Sequence, residues 1–384
     1  MTILHIANSY GGTSVYTNLY TAIDLNAKVT QLVYVPLNSR NHDRVGNKMI
    51  DFQNEGSIIH YSTILKPYHK FLYGLKIRAI VKDVERTFDM SKVDVVHAGT
   101  LCLDGAVAYE LCRKYGIPYM VAVRNTDTVY YKMKWRHSYF TEIMENASKI
   151  VFISPKYRDI YLSTRVPVLS RKRIAEKVMV IPNGVSNVFL KNKSTEHKGY
   201  NGELNLIFVA AFYKGKGLVE AIQAIELLRG KGYKITLNAI GKGLPNRPHD
   251  KEYEDQVDAL ANGKDWVKTQ TFKKPEEIIA EMRNANAFVM VSKPETFGLV
   301  YVEALSQHLP IIYAQGQGFD GFYPDGFVGY PAIAGNADDI AVKIESLIKN
   351  YSKIAQNVES LNLDHDFEWN NIGRKYLSIY NTIK

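Results

Sequence analysis

The stretch AFVMVSKPETFGLVYVEALSQHLPII, residues 287–312, holds the side chains best placed to do chemistry. An apolar strand runs to Ser292, Pro294 and Gly298 hold a loop, and a helix begins near Leu299. Leu299, Val300, Val302 and Leu305 are available for the buried face of that helix. The first backbone N–H groups of a helix have no internal partner and lie at the positive end of its dipole. They form an anion site that suits a diphosphate. Glu295 stands in the loop on one side of this site, and Glu303 lies about one turn into the helix, ~7 Å along the axis from Gly298. The two carboxylates bracket the site, one able to accept hydrogen bonds from sugar hydroxyls and the other from a ribose. The spacing alone is uninformative, because two glutamates at this separation arise by chance about once in a chain of this length. The strand–loop–helix context gives it meaning.

The elements that must carry these residues alternate along the chain. TILHIA leads into Gly11-Gly12, and VTQLVYVPL and GSIIHYS read as further strands. A basic, amphipathic stretch runs from Tyr68 to Phe88. VDVVHAG reads as a buried parallel strand, LDGAVAYELCRKYG as a helix closed by Gly116, and YMVAVRNTD, KIVFIS and VMVIPNGV as strands. The polar stretch 190–203, LKNKSTEHKGYNGE, has no apolar period and reads as a linker. Alternation then resumes with LNLIFVAA, the helix LVEAIQAIELLRGKG, KITLNAIGKG, and a helix opening at Pro275. Strands and helices of these lengths predict parallel sheets, hence two Rossmann-like α/β domains in series. The expected division is an N-terminal domain over 1–189, a linker over 190–203, a C-terminal domain over 204–365 and a closing helix over 366–384. Nucleotides bind such sheets at the carboxyl ends of the strands.

With these residues in place the sequence resembles a known family. Glu295-Thr-Phe-Gly-Leu-Val-Tyr-Val-Glu303 looks like the E-x7-E motif of the group 1 (family 4) retaining glycosyltransferases of GT-B fold. The resemblance covers nearly the whole chain. Gly11-Gly12 matches the family's glycine-rich first loop, Ile181-Pro-Asn-Gly-Val185 the end of its first domain, and Ile240-Gly-Lys-Gly243 its later G-x-G. In FVAAFYKGKG, Lys216-Gly217 supplies the Lys-Gly of the phosphate loop. The final FEWNNIGRKYLSIYNTI resembles the last GT-B helix, which crosses back onto the first domain. Three departures stand out. Ala211 occupies the place of a phosphate-binding arginine, with Lys214 as the candidate replacement. Arg124, in Val123-Arg-Asn-Thr-Asp127, replaces a histidine that contacts the donor sugar. Gln307-His308 replaces a Cys-Gly pair.

The resemblance implies two domains facing across a cleft, the nucleotide-sugar donor bound mainly by the second and the acceptor mainly by the first. It implies Glu295, Lys216 and Arg124 as catalytic residues. Glu295 would hold sugar hydroxyls, Lys216 would clamp the diphosphate, and Arg124 would either stabilise charge on the departing nucleotide or form a structural ion pair with Asp127. Gly11, Gly12, Lys214, Gly241, Phe297, Gly298, Leu299 and Glu303 would line the donor. No cofactor and no metal are expected: Asp364-His365-Asp366 precedes the last helix, where aspartate serves as an N-cap, and no Cys/His cluster suits zinc. Two other readings fit the same architecture. A nucleotide-sugar 2-epimerase would form product without an acceptor. A non-catalytic nucleotide-sugar-binding subunit would not hydrolyse its donor.

Composition narrows the setting. The chain has 384 residues, 46% apolar and 23% charged, which excludes a disordered chain, a collagen-like repeat and a disulfide scaffold. Its two cysteines, Cys102 and Cys112, suggest free thiols and a reducing compartment. No apolar run approaches the ~18 residues of a membrane span, and the N-terminus lacks the basic start of a signal peptide, so the cytoplasm is expected. The net charge of +9 is one-sided. Residues 1–200 carry 28 Lys+Arg against 16 Asp+Glu, whereas residues 201–384 carry 20 against 23. Aromatics interleave with the basic residues around Tyr130–Phe140, and a second basic cluster spans Lys156–Arg173. An anionic membrane surface and a lipid-linked saccharide acceptor fit this half, in capsule, lipopolysaccharide or exopolysaccharide assembly. No nucleic-acid-binding signature is present.

Overall fold

In a computed structural model the chain forms two compact units, described over residues 1–38, 49–243 and 250–383. The first comprises Met1–Ile153, Arg158–Gly184 and Trp369–Lys384, and the second Ser154–Tyr157 and Val185–Glu368. The chain passes between them after Gly184, earlier than the break read from polarity alone. Val185 is already tied into the second unit, its N–H donating to the Phe367 carbonyl at 2.9 Å.

The first unit is built on strands β1 (Thr2–Ile6), β2 (Thr30–Asn38), β3 (Ile58–Leu65), β4 (Val95–Ala98), β5 (Tyr119–Val123), β6 (Lys149–Phe152) and β7 (Val178–Val180). They lie in the order β3-β2-β1-β4-β5-β6-β7, every neighbouring pair parallel. β4 and β5 are buried along their whole length, which is why they read as continuous apolar runs rather than alternating ones. The helix Asp104–Tyr115 stops at Gly116, which is left-handed with φ 72°. The final helix, Trp369–Thr382, belongs to this unit. It presents Ile372, Tyr376, Leu377, Ile379 and Tyr380 to the core shared with Leu19, Ile23 and Val33.

The second unit is built on β8 (Glu203–Val209), β9 (Lys234–Lys242), β10 (Val267–Thr271), β11 (Ala287–Val289), β12 (Ile311–Ala314) and β13 (Gly329–Ala332). They lie in the order β10-β9-β8-β11-β12-β13, again all parallel. The strand order reverses between β8 and β11 here, and between β1 and β4 in the first unit. At such a reversal the loops leaving the two strands diverge and open a crevice, where ligands of open α/β sheets bind.

Some elements differ from their sequence reading. β11 ends at Val289 rather than Ser292, because the chain leaves the sheet to form the site loop. The basic stretch is a 3-10 turn, Pro67–Lys70, followed by a helix, Tyr73–Thr87. The cap expected from Asp364 or Asp366 is made by Asn362, whose side chain accepts from the His365 N–H at 3.3 Å. The two aspartates fall inside that short helix, Asp364 paired with Lys193 and Asp366 with His365.

Candidate active site

The loop leaving β8 runs Ala210–Gly217, and the loop leaving β11 runs Met290–Gly298. Both issue from the carboxyl side of the reversal in the second unit. They are held together by backbone: the Lys293 N–H donates to the Gly215 carbonyl at 2.7 Å. Gly217 has φ 84°, and a Cβ there would stand 2.5 Å from the Val291 carbonyl oxygen. Any side chain at 217 would push the two loops apart.

This packing brings Lys216 and Glu295 together, with Lys216 Nζ 2.8 Å from Glu295 Oε2. Three more contacts fix the glutamate. Ser292 Oγ donates to Oε2 at 3.1 Å, the Glu295 N–H donates to Gln317 Oε1 at 3.1 Å, and the Gly318 N–H donates to the Glu295 carbonyl at 3.0 Å. Lys216 is 30% exposed and Glu295 14%, so the pair faces outward without being fully solvated.

Gly298 is the N-cap of the helix Leu299–Ser306, with φ 80°, and supplies no side-chain cap. The Tyr301 N–H donates to the Gly298 carbonyl at 3.0 Å, and the N–H groups of Leu299 and Val300 are left at the helix start for an anion. Tyr301, on the first turn, is buried and donates its hydroxyl to the Met290 carbonyl at 2.6 Å, pinning the helix start beneath the loop. Glu303 lies further along the helix, partly buried. Burial pushes its carboxyl up to about 7. Among the described residues no hydrogen-bond donor reaches that carboxylate.

The other predicted residues fall as follows. Lys214 is exposed, and its backbone N–H donates to Asp250 Oδ2 at 3.2 Å. Gly241 packs directly on the Ala210 carbonyl. Leu299 contributes the first helical residue. The Phe297 side chain is core rather than lining: it is 2% exposed and packs on Phe322 and Phe367, with ring centroids 5.6 and 6.1 Å away. Only its backbone can meet a ligand.

Gly11, Gly12 and Arg124 belong to the first unit. Gly11 and Gly12 end a short 3-10 turn after β1, and a Cβ at Gly12 would meet nothing within 4 Å. Arg124 differs from the direct contact expected of it. It is buried, its Nε donates to the Gly99 carbonyl at 3.1 Å, and its Nη1 donates to Asn183 Oδ1 at 3.0 Å. Its guanidinium also lies over the Tyr16 ring at 5.3 Å. The guanidinium joins the loops after β4 and β7 within the first unit. Asp127 is taken up by the N–H groups of Arg124, Leu101 and Cys102, at 2.9, 3.2 and 2.7 Å.

Sequence reasoning passed over Ser292, Gln317 and Tyr301. Ser292 carried a signal, a polar residue closing an apolar strand. Gln317 carried none, since it arrives from the loop after β12. Among the described residues no three His, Cys, Asp or Glu side chains gather as a metal site would.

Two family models match the chain. "Glycosyl transferases group 1" matches residues 191–361, and "Glycosyltransferase Family 4" matches residues 33–187. The chain belongs to the group 1, family 4 glycosyltransferases. It is 28% identical over 332 residues to the α-monoglucosyldiacylglycerol synthase of Acholeplasma laidlawii, covering 81% of this chain and 78% of the relative. It is also 28% identical over 223 residues to the capsular polysaccharide biosynthesis glycosyltransferase CapM of Staphylococcus aureus, covering 54% and 56%. The structure of Anabaena HepE in complex with UDP-glucose superposes with a TM-score of 0.65 at 15% identity, covering all of both chains. That likeness is one of fold, and the fold of this glycosyltransferase is GT-B. The switch-point loops of its second unit fall within the group 1 match.

Proposed function

We propose that this glycosyltransferase moves a sugar from a nucleotide-sugar donor to a saccharide or lipid-linked acceptor, retaining anomeric configuration, in the assembly of surface polysaccharide or glycolipid. The observation that carries the reading is the Lys216–Glu295 pair, 2.8 Å apart, beside the uncapped helix start at Gly298. A diphosphate at this point meets a lysine ammonium and the open N–H groups of the helix. Both act where negative charge grows as the glycosidic bond to the donor breaks. Glu295, held by Ser292 and Gln317, is fixed as an acceptor for donor-sugar hydroxyls. The unpartnered carboxylate of Glu303 suits a ribose diol. Charge on the leaving group is thus assigned to protein cations and dipoles, and the reading calls for no metal. Lys216 exchanges its carboxylate partner for phosphate when the donor binds, so one fixed cation serves both states.

The Acholeplasma relative, a diacylglycerol glycolipid synthase, and CapM, a capsule enzyme, support an acceptor of lipid-linked or surface-saccharide type. The excess of Lys and Arg in residues 1–200 supports peripheral contact of that half with an anionic membrane. No helix among the described residues is long and apolar enough to cross one.

The test is a panel of nucleotide sugars scored by thermal stabilisation, followed by nucleoside diphosphate release with and without acceptor. Stabilisation and release by one donor class, with release stimulated by acceptor, supports transfer. Sugar interconversion without acceptor would mark an epimerase, and stabilisation with no turnover a binding subunit.

A further inference from the structure

In the first unit the loops leaving β1 and β4 form the walls of the crevice at the strand reversal, and one buried carboxylate is bonded to both. Asn8 stands two residues past the end of β1, and Thr100 two residues past the end of β4. Just before them the two chains are still joined, the Gly99 N–H donating to the Ile6 carbonyl at 3.0 Å. Asp104 is the first residue of the helix Asp104–Tyr115 and is 0% exposed. Its Oδ1 accepts from the Asn8 N–H at 3.1 Å and from Asn8 Nδ2 at 2.6 Å. Its Oδ2 accepts from the Thr100 hydroxyl at 2.9 Å. Thr100 is buried as well, whereas Asn8 is half-buried and is the member of the three that a ligand can reach.

This arrangement fixes which way the Asn8 carboxamide faces. An ionised carboxylate only accepts hydrogen bonds, so the amide nitrogen turns to Asp104 and the carbonyl oxygen turns away. Burial raises the Asp104 carboxyl to about 6, which leaves it ionised at about pH 7.5. Backbone and side chain of Asn8 share one oxygen of Asp104, so the side chain can neither flip nor rotate without losing a bond. Among the described residues nothing donates to Asn8 Oδ1, and that atom is open to solvent. The loop folds back directly after it: the Tyr10 N–H donates to the Ala7 carbonyl and the Gly12 N–H to the Ser9 carbonyl, each at 3.1 Å. A carbonyl oxygen held in this way accepts from a hydroxyl and repels a phosphate or carboxylate oxygen.

We infer that Asn8 binds a hydroxyl of the acceptor through Oδ1, and that Asp104 is the positioning residue that holds Asn8 in that orientation. Asp104 meets no ligand itself, since both its oxygens are taken and it is shut away from solvent. Its part is to set the Asn8 oxygen before the acceptor arrives, so that binding does not have to order it. This rests on the transfer reading above and names the side chain through which the first unit meets the acceptor.

The experiment is nucleoside diphosphate release by the full chain from UDP-glucose, UDP-galactose, UDP-N-acetylglucosamine or GDP-mannose, with octyl glucoside, octyl galactoside or dioctanoylglycerol as acceptor. The donor and acceptor that give the fastest stimulated release in wild type are used for N8A, D104A, D104N and N8A/D104A. N8A should lose about tenfold in kcat/KM for the acceptor, the worth of one hydrogen bond to a substrate hydroxyl. D104A should lose about fivefold, and N8A/D104A no more than N8A alone, because Asp104 acts through Asn8. D104N still offers an oxygen to Asn8 and turns its amide nitrogen to the Thr100 hydroxyl, so it should stay within about twofold of wild type. The donor KM should change by less than about twofold throughout, a split that a general loss of packing would not produce. Melting temperature is the folding control, and D104S, whose hydroxyl does not force the amide to turn, replaces D104A should that variant not fold. Wild-type kcat/KM for the acceptor in N8A overturns the inference, as does an additive loss in N8A/D104A. Release that no acceptor stimulates in wild type overturns the transfer reading, and the inference with it, so the two failures give different results.

Discussion

Glu303→Gln should stabilise the free protein while weakening its hold on the donor. The carboxyl of Glu303 is pushed from an ordinary 4.5 up to about 7 by burial without a hydrogen-bond donor. A raised carboxyl pKa means that the folded state holds the proton more tightly than the unfolded chain. The protonated side chain therefore costs nothing below pH 4.5, and stability is lost as pH rises from there through 7. The shift of about 2.5 units corresponds to about 3 kcal/mol at pH 8, as an upper figure because the residue is partly exposed. Glutamine keeps the shape and removes the charge. The variant should melt higher than wild type at pH 8, by about 6–12 °C for a unit of this size, and within about a degree of it at pH 4.5. With donor present the order should narrow or reverse, because wild type gains two hydroxyl donors from the ribose and glutamine accepts them less well. The assay is a melting temperature at both pH values, with and without a saturating nucleotide sugar. Equal melting of the two proteins at pH 8 would refute the reasoning, since it would show a solvated carboxylate with no cost for a ligand to relieve.

The remaining predictions concern the cations and the buried histidines. Lys216→Ala should lower turnover about a hundredfold, the usual loss for one transition-state charge stabiliser, with little change in melting temperature. Lys214→Ala, at an exposed position, should lower turnover by less, and the reverse ranking would show that the two lysines have exchanged roles. In the first unit, His5 Nδ1 lies 3.1 Å from His97 Nδ1, and the Tyr380 hydroxyl lies 2.8 Å from the same His97 nitrogen. Burial lowers His5 to about 3 and His97 well below its ordinary value. Both fold neutral, so their contribution is full above pH 6.5 and falls as pH drops below it, by about 2 kcal/mol for His5 at pH 5. Asp104, raised to about 6 mainly by burial, and Glu303, raised to about 7 by burial, act in the opposite sense and offset much of the loss. His5→Leu should therefore lose less melting temperature than wild type as pH falls from 7.5 to 5; an equal pH dependence of the two proteins would show that His5 is not buried in the neutral form.

Much of the architecture was legible because parallel strands buried on both faces leave continuous apolar runs. VDVVHAG and YMVAVRNTD announce β4 and β5 in this way. Gly116 and Pro275 mark a helix end and a helix start by backbone geometry that any reader of sequence can use. The site was legible as separate parts. Glu295 and the helix start at Leu299 are local features, whereas the Lys216–Glu295 contact joins residues far apart in sequence. It exists only because β11 inserts beside β8, past β9 and β10, and no local pattern encodes that order. The same limit hid Gln317, which reaches Glu295 from the loop after β12. The surroundings of Phe297 and Arg124 were hidden for a related reason, since residue type does not reveal that a ring is packed among Phe322 and Phe367 or that a guanidinium donates to Gly99 and Asn183. The His5–His97 pair arises from neighbouring residues on β1 and β4, again a product of strand order.

The central claim is that the second unit holds the diphosphate of a nucleotide sugar between Lys216 and the helix start at Gly298, with Glu295 on the sugar. The direct measurement is nucleoside diphosphate release from the donor that most stabilises the protein, comparing wild type with Glu295→Gln. The account predicts that the variant still binds the nucleoside diphosphate itself within about threefold of wild type and loses about a hundredfold or more in release from the nucleotide sugar. Release at the wild-type rate by Glu295→Gln would contradict it.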